Sequence, residues 1–302
     1  MTDFVCIHLS LPKLQDDPNL RWVPSFRVPV ARILPWSLHP YTLLRYMCFA
    51  TTGARGELSL SSQYPVDPVA YNSSTLPNDI PDLQVYYHVQ EDQRSYTFPI
   101  DPIDVASGWS TPITPTENFT EGLVGRDGGV CIVHSLPGEL CDAAHLVDVS
   151  KGDKYIEQLT TSRSLNNPNP QIIQDVDDLR NGLFLLGLIT PFIGISVAFL
   201  PIPNVYMTSN DIDNLPPATS SLILHDLNTP VNAPKAYTSG IPDGGLVRIA
   251  PHDWPPNLLF DVVFAEAMSR LWGLPGFVDQ VIPAWSIQTV ETEPDTTSRD
   301  VA

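Results

Sequence analysis

Basic residues are scarce in this chain. Its 302 residues include 16 Lys and Arg against 34 Asp and Glu, for a formal net charge of −18 with neutral histidines. Proteins that bind nucleic acid gain affinity by presenting Lys and Arg to phosphates and releasing counterions. Tight, sequence-independent binding of DNA or RNA is therefore disfavoured unless the basic residues cluster on one face. No feature of the sequence identifies a protein partner.

Cysteine is also sparse, with only Cys6, Cys48, Cys131 and Cys141. This density excludes a small scaffold held together by disulfides. The N-terminus shows no basic segment leading into a long apolar segment with a cleavage site. We therefore expect an intracellular, reducing compartment, either the cytoplasm or the nucleus.

Proline, in contrast, is abundant. The chain has 31 prolines, about twice the ordinary usage, which favours short elements joined by ordered turns. At 43% hydrophobic residues, the chain can bury a large core. We expect an α+β fold with few long helices.

One apolar run allows two interpretations. Residues 183–200 (LFLLGLITPFIGISVAFL) carry no charge over eighteen positions, which is long enough for a membrane span. Gly187, Pro191 and Gly194 interrupt the run and favour a buried strand, a short helix and a second strand. A single membrane span is the alternative, and we expect no membrane partner.

Local patterns predict the main elements and a division of the chain. A Pro/Thr/Ser run at 107–116 predicts a boundary, giving an N-terminal region of strands and loops (1–116), a central domain (117–275) and an acidic, disordered tail (276–302). Residues 201–253 are expected to be irregular. The predicted helices are 40–50, 153–160 and 257–272, and the predicted strands are 83–89, 130–133 and 140–149.

Three separated motifs carry candidate chemistry. They are RDGGVCIVHS from Arg126, CDAAHLVDVSKGDKYI from Cys141 and DVDDLRNGLFL from Asp175. His145 ends a run of small residues, and its neutral imidazole can accept a proton from water near pH 7. Asn181 precedes Gly182, and its amide can fix a histidine tautomer without adding charge.

In this order and spacing, the motifs resemble the HNH nuclease domain found in many fungal proteins. The later segments WPPNLLFD, from Trp254, and LWG, from Leu271, resemble the conserved tail that follows that domain. The resemblance implies a ββα-metal motif embedded in Pro-rich strands and loops and followed by a packing helix. It also implies phosphodiester hydrolysis with a divalent cation (Mg, Mn or Zn), His145 as general base and Asn181 as the orienting residue.

The chain departs from this pattern at the last metal-binding histidine. That residue is expected nine positions after Asn181, where the chain has Thr190, and a neutral hydroxyl is a poor ligand beside an imidazole. Loss of the cation should reduce the rate by about three or more powers of ten. The resemblance therefore predicts a weak or inactive nuclease.

Three alternatives remain open. Asp142, His134 or Asp148 could approach His145 and bind a metal with it, because carboxylates suit Mg²⁺ and Mn²⁺. The chain could instead be a non-catalytic interaction module. Finally, Cys131, His134, Cys141 and His145 form C-x₂-H-x₆-C-x₃-H, whose donors suit a structural zinc. The spacing is not a usual zinc-finger pattern and both cysteines lie in apolar segments, which favours buried inert thiols instead.

Overall fold

The chain folds into α-helices and β-strands, which confirms the α+β prediction. The computed structural model describes residues 3–10, 22–77, 80–96, 115–164, 169–217, 220–228 and 243–277. Among these residues, three sheets and the helices between them bury a large hydrophobic core.

A four-stranded sheet forms the N-terminal part of the chain. Its strands are β1 (Phe4–Leu9), β2 (Val23–Pro29), β3 (Gly56–Ser59) and β4 (Asp82–Val89), in the order β2-β1-β4-β3. Strands β1 and β4 are parallel, and the other two pairs are antiparallel. Val5, Ile7 and Leu9 are fully buried, so one face of the sheet packs on the core.

Two helices follow β2. These are α1 (Val30–Trp36) and α2 (Pro40–Thr52). Pro40 occupies the first turn of α2, where no intrahelical partner is needed for its missing N–H. Gly53 ends α2 in the left-handed conformation with φ of 72°, which glycine adopts without steric cost.

The central part is built on two antiparallel strands that a helix separates in the sequence; this strand pair is called the hairpin below. Helix α3 (Glu117–Asp127) precedes strand β5 (Cys141–His145), and helix α4 (Gly152–Ser164) precedes strand β6 (Gly182–Leu186). Strands β5 and β6 pair so that His145 lies opposite Gly182. The two strands therefore bring together residues that are far apart in the sequence.

The last part of the fold is a three-stranded antiparallel sheet covered by a helix. Its strands are β7 (Val197–Ile202), β8 (Ser221–Asp226) and β9 (Gly245–Val247). Helix α5 (Asn257–Trp272) packs on β7 and on α2. Because α2 and α5 lie on opposite sides of the predicted boundary, both regions contribute to one buried core.

Several of the sequence predictions are confirmed. Strand β4 and helices α2, α4 and α5 lie where the sequence predicts them, and α5 has the predicted ends. The boundary run lies outside the described residues except for Pro115 and Thr116, as does the acidic tail after Phe277. The three-part division of the chain therefore stays a prediction.

The predicted strand at 130–133 is wrong. Residues 132–134 form a turn, and only Val130 makes a β-bridge, with Pro137. Gly128 and Gly129 have positive φ angles of 70° and 67°, and the backbone of Cys131 bonds to Leu136 and Ser135 rather than to a neighbouring strand. Residues 201–253 were likewise predicted to be irregular, but they contain β8 and β9.

The apolar run at 183–200 is a strand, a 3₁₀ turn and a second strand. It comprises most of β6, the turn Thr190–Phe192 and the start of β7, which confirms the interpretation as buried strands. Within the described ranges, no helix is both long and apolar enough to cross a bilayer.

A buried polar network joins helices α2, α4 and α5. The Tyr46 hydroxyl donates a hydrogen bond of 2.8 Å to Asp261 Oδ1, and Arg163 donates to the carbonyl oxygens of Ala50 and Thr51 at the end of α2. Burial raises the pKa of Asp261 to about 6, although Tyr46 and Arg163 oppose the shift. Asp261 is thus held in an environment that disfavours its charged form.

Replacing Asp261 by Asn should flatten part of the pH dependence of stability. Because the folded state binds the Asp261 proton more tightly than the unfolded state, this contribution is complete below about pH 4 and is lost as the pH rises through about 6. The stability of Asp261→Asn relative to wild type should therefore increase by about 2 kcal/mol between pH 4 and pH 8, measured by chemical denaturation.

Tyr46→Phe is the matched control. It removes the hydroxyl whose hydrogen bond lowers the Asp261 pKa but leaves Asp261 able to ionise, so its stability should fall with pH at least as much as that of wild type. A stability difference between Asp261→Asn and wild type that stays constant with pH would contradict the account of this network.

Candidate functional site

The ring of His145 is covered by the first turn of α3. Thr116 caps this helix by accepting a hydrogen bond from the Phe119 N–H at 3.4 Å. Phe119 is 1% exposed, and its ring stacks on the His145 imidazole with centroids 4.0 Å apart and planes 2° from parallel. The helix terminus therefore shields one face of the imidazole from water.

Asp177 binds the edge of the same imidazole. His145 Nε2 lies 2.8 Å from Asp177 Oδ1, and the Thr116 hydroxyl donates to Asp177 Oδ2 at 3.0 Å. Since a carboxylate only accepts, Nε2 carries the proton, and in the neutral ring Nδ1 then carries the lone pair. Thr116, Asp177 and His145 form a hydrogen-bonded relay anchored on α3.

The environment keeps His145 neutral near pH 7. Burial lowers the pKa of His145 below its ordinary value, while the hydrogen bond and charge of Asp177 and the charge of Asp148 oppose the shift. The His145 side chain is 7% exposed and that of Asp177 is 24% exposed, so the pair is largely withdrawn from solvent. A neutral imidazole with a fixed tautomer has the form required of a general base.

Two backbone contacts place Asp177 at this position. The Val176 N–H donates to Asp153 Oδ1 at 2.9 Å, and the Asp177 N–H donates to Asp175 Oδ1 at 2.8 Å. Asp153 belongs to the first turn of α4. The inserted helix between β5 and β6 thus holds the carboxylate against the histidine.

Asn181 is fully buried and connects the two strand ends of the hairpin. Its Oδ1 accepts from the Val147 N–H at 2.9 Å, and its Nδ2 donates to the carbonyl oxygens of Val147 at 2.9 Å and of Val176 at 2.8 Å. Asn181 therefore satisfies three buried backbone groups on either side of the relay. It fixes the chain just after His145 and just before Asp177.

A buried ion pair holds the same region from the other side. The Arg126 guanidinium makes two hydrogen bonds of 2.8 Å to the Asp127 carboxylate, and the two side chains are 1% and 0% exposed. Arg126 also donates to the carbonyl oxygens of Leu179 and Gly182. These two residues flank Asn181, so the end of α3 is joined directly to the start of β6.

The predicted metal ligands do not gather around His145. Asp142 is exposed and lies beside Gly187, and the Thr190 hydroxyl donates to the Leu186 carbonyl oxygen at 3.4 Å. His134 Nδ1 lies 3.8 Å from Cys131 Sγ, and Asp148 caps a 3₁₀ turn by accepting from the Ser150 N–H. Across the described part of the chain, no group of three or more His, Cys, Asp or Glu could hold a metal ion.

The divalent cation that the resemblance implies stays a prediction. The two oxygens of Asp177 already accept from His145 and Thr116. The four residues of the alternative zinc pattern also form no cluster, because His145 stacks on Phe119 whereas His134 lies beside Cys131. Of the predicted residues, His145 and Asn181 lie at neighbouring ends of β5 and β6, and Asp148 is near enough for its charge to act on His145. Asp142, His134 and Thr190 have the other contacts given above.

Three contributors to the site were missed in the sequence. Asp177, Phe119 and Thr116 complete the surroundings of His145. A signal existed for α3, since Thr116 followed by Glu117 and ended by Gly128 is a capped helix pattern. No comparable local signal assigns Asp177 to His145, because the pair forms across 32 residues.

Comparisons of this chain with protein-family models, with curated proteins and with solved structures found no significant match.

Asp177→Asn should lower the pKa of His145 further. The substitution removes a negative charge that favours the protonated imidazole and weakens the hydrogen bond to it. The His145 titration can be followed by NMR on the full chain. Asp142→Asn, an exposed change on the same strand, is the control and should leave this titration unaltered. An equal response to both variants would contradict the assignment of Asp177 as the partner of His145.

Gly182→Ala should separate Phe119 from His145. A Cβ at residue 182 would lie 2.3 Å from the Phe119 ring and 2.8 Å from the Leu123 side chain, so we expect a loss of about 1–3 kcal/mol in stability. The upfield shift of the His145 ring protons should decrease as the stacked ring moves.

Gly125→Ala is the matched control for this helix. Gly125 is exposed on α3 and has no neighbour within 4 Å of its Cβ position, so alanine should leave stability unchanged or raise it slightly. A Gly182→Ala variant as stable as Gly125→Ala would show that the close approach of α3 to β6 is unimportant.

Proposed function

We propose that this chain is an HNH nuclease-like protein in which metal-dependent phosphodiester hydrolysis is lost or very weak, and that the fold now acts as a scaffold for interaction. The observation that carries the proposal is the arrangement of His145 and Asn181. They meet on one β-hairpin, with the imidazole at the end of β5 and the carboxamide just before β6.

The role of Asn181 supports the ancestral part of the proposal. In the domain that the motifs resemble, the asparagine holds the histidine or its loop in place. Here the Asn181 amide binds both backbone groups of Val147, two residues after His145. A hydrophobic residue at position 181 would leave these buried groups without partners, so the choice of asparagine has a physical reason.

The surroundings of the hairpin support the loss of activity. Thr190 lies in a 3₁₀ turn that contains Pro191, rather than in a longer helix presenting a donor to His145. Asp177, the carboxylate that binds the imidazole, also accepts a hydrogen bond from Thr116, so both of its oxygens are engaged. Without a cation, hydrolysis lacks several kcal/mol of transition-state stabilisation.

The charge of the chain favours a scaffold over a nucleic-acid enzyme. A formal net charge of −18 repels phosphates. Several of the basic side chains of the central region are also engaged internally, since Arg126 and Arg163 bind backbone carbonyl oxygens in the interior and Arg180 binds Asp178. Arg126 and Arg163 are therefore not presented to an external polyanion, and the charge of Arg180, whose side chain is 32% exposed, is paired with Asp178.

A cleavage assay with the full chain tests the proposal. Wild type and His145→Ala should give the same background nicking of supercoiled plasmid and the same background cleavage of single-stranded RNA, with Mg²⁺, Mn²⁺, Ni²⁺ or Zn²⁺. The expected rate is lower than that of an active metal-dependent nuclease by about three powers of ten or more. Cation-dependent cleavage by wild type that disappears in His145→Ala would overturn the loss of activity.

Thr190→His provides a second test of ancestry. This substitution returns an imidazole to the position where the resemblance expects the last metal ligand. Cleavage that appears only in Thr190→His and is abolished by adding His145→Ala would support the loss of that ligand as the cause of inactivity.

A further inference from the structure

Two of the four cysteines lie near each other at the end of the β5–β6 pair that is farther from His145 and Gly182. The Leu186 N–H donates to Cys131 Sγ at 3.3 Å, and Leu186 is the residue that pairs with Cys141 between β6 and β5. Paired residues of antiparallel strands have Cα atoms about 4.5–5.5 Å apart. The Cys131 sulfur therefore lies beside the backbone position directly opposite Cys141.

The turn between the two cysteines provides a second set of contacts, because both cysteines lie beside the Leu136 carbonyl oxygen. The Cys131 N–H donates to the Leu136 carbonyl oxygen at 2.9 Å, and Cys141 Sγ lies 3.9 Å from the same oxygen and 3.4 Å from that of Pro137. Both contacts follow from the tight turn that closes at Val130 and Pro137.

We propose that Cys131 and Cys141 are a peroxide-sensitive thiol pair that forms a reversible disulfide across the base of the hairpin. The proposal is independent of the proposed function. All four cysteines are free thiols in the structure, so the structure corresponds to the reduced state of the pair.

Exposure sets the order of the two chemical steps. Cys141 is partly exposed, whereas Cys131 is fully buried. The Cys141 thiolate attacks hydrogen peroxide and breaks the O–O bond, giving a sulfenic acid and releasing water after proton transfer. The Cys131 sulfur then attacks the sulfenic sulfur, the S–O bond breaks, and a second water leaves. Two thiols are oxidised by two electrons and one peroxide is reduced.

The other two cysteines lack this arrangement. Cys48 is fully buried within α2, where burial raises the pKa of its thiol and keeps it unreactive. Cys6 is partly exposed on β1, but the groups that affect its thiol are Asp82, Gln84 and Arg27 rather than another cysteine. Cys6 therefore serves as an internal reference for an accessible thiol without a resolving partner.

The reaction should be faster at higher pH. Burial raises the pKa of the Cys141 thiol, with the neighbouring Cys131 contributing to the shift. The thiolate fraction at neutral pH is consequently small, and it increases with pH. The pair is expected to respond to sustained oxidant rather than to trace peroxide.

A disulfide would stabilise the hairpin that carries His145. It would close a loop of about ten residues, and cross-linking such a loop shifts the folding equilibrium by about 100-fold. The link would tie the turn at 130–137 to the start of β5, four residues before His145. The oxidised protein should therefore have a higher melting temperature than the reduced protein.

The test is oxidation of the full chain with hydrogen peroxide, followed by alkylation and peptide mass spectrometry. We expect a mass loss of two hydrogens, a cross-linked peptide containing Cys131 and Cys141, and complete reversal by dithiothreitol. Cys6 should remain open to alkylation before and after treatment. Formation of the cross-link should accelerate between pH 7 and pH 9.

Cysteine-to-serine variants show which thiols form the cross-link. Cys6→Ser should form the same cross-link, whereas Cys131→Ser and Cys141→Ser should lose both the cross-link and the rise in melting temperature. A Cys131 that stays alkylatable while Cys141 proceeds to sulfinic acid would overturn the proposal. A cross-link from Cys141 to Cys6, or to a second molecule, would overturn it as well.

Discussion

The buried pair of Arg126 and Asp127 is the interaction on which the central part of the fold depends. The two neighbouring side chains are withdrawn from water, and together they bind four backbone positions outside α3. Arg126 donates to the carbonyl oxygens of Leu179, Gly182 and Asp253, and Asp127 accepts from the Phe184 N–H. One pair therefore fixes the end of α3, the start of β6 and the loop before α5.

A buried ion pair of this kind contributes more to the relative positions of the elements it joins than to the free energy of unfolding. Burying two charges costs several kcal/mol each, and their attraction repays this only when the remaining hydrogen-bonding groups are satisfied. Here backbone groups in β6, before β6 and before α5 satisfy them, which holds β6 in place relative to α3. That position lets Phe119 cover His145 at one end of the helix, while Asn181 fixes the adjoining loops.

The sequence predicts those features that depend on neighbours along the chain. Helix α5 follows from its N-terminal prolines and apolar stripe, and His145 and Asn181 follow from short motifs. The partner of His145 does not, because Asp177 is one of several acidic residues near Asn181 and is selected by contacts from α4. The false strand at 130–133 has a local cause, since its apolar residues pack as a turn after two glycines with positive φ. The partner of His145 and the conformation of residues 130–133 therefore depend on contacts between residues distant in the sequence and on local backbone geometry, which residue type alone does not reveal.

The most direct test of the account is the titration of His145 when the buried pair is replaced by apolar residues. In the double variant Arg126→Met and Asp127→Leu, no charge is left unpaired, so helices and sheets should persist while β6 loses its fixed position. We predict that the pKa of His145 then returns toward its ordinary value and that the NMR signature of the stacked Phe119 ring disappears. A His145 titration identical to that of wild type, in a folded double variant, would contradict the claim that this pair positions the site.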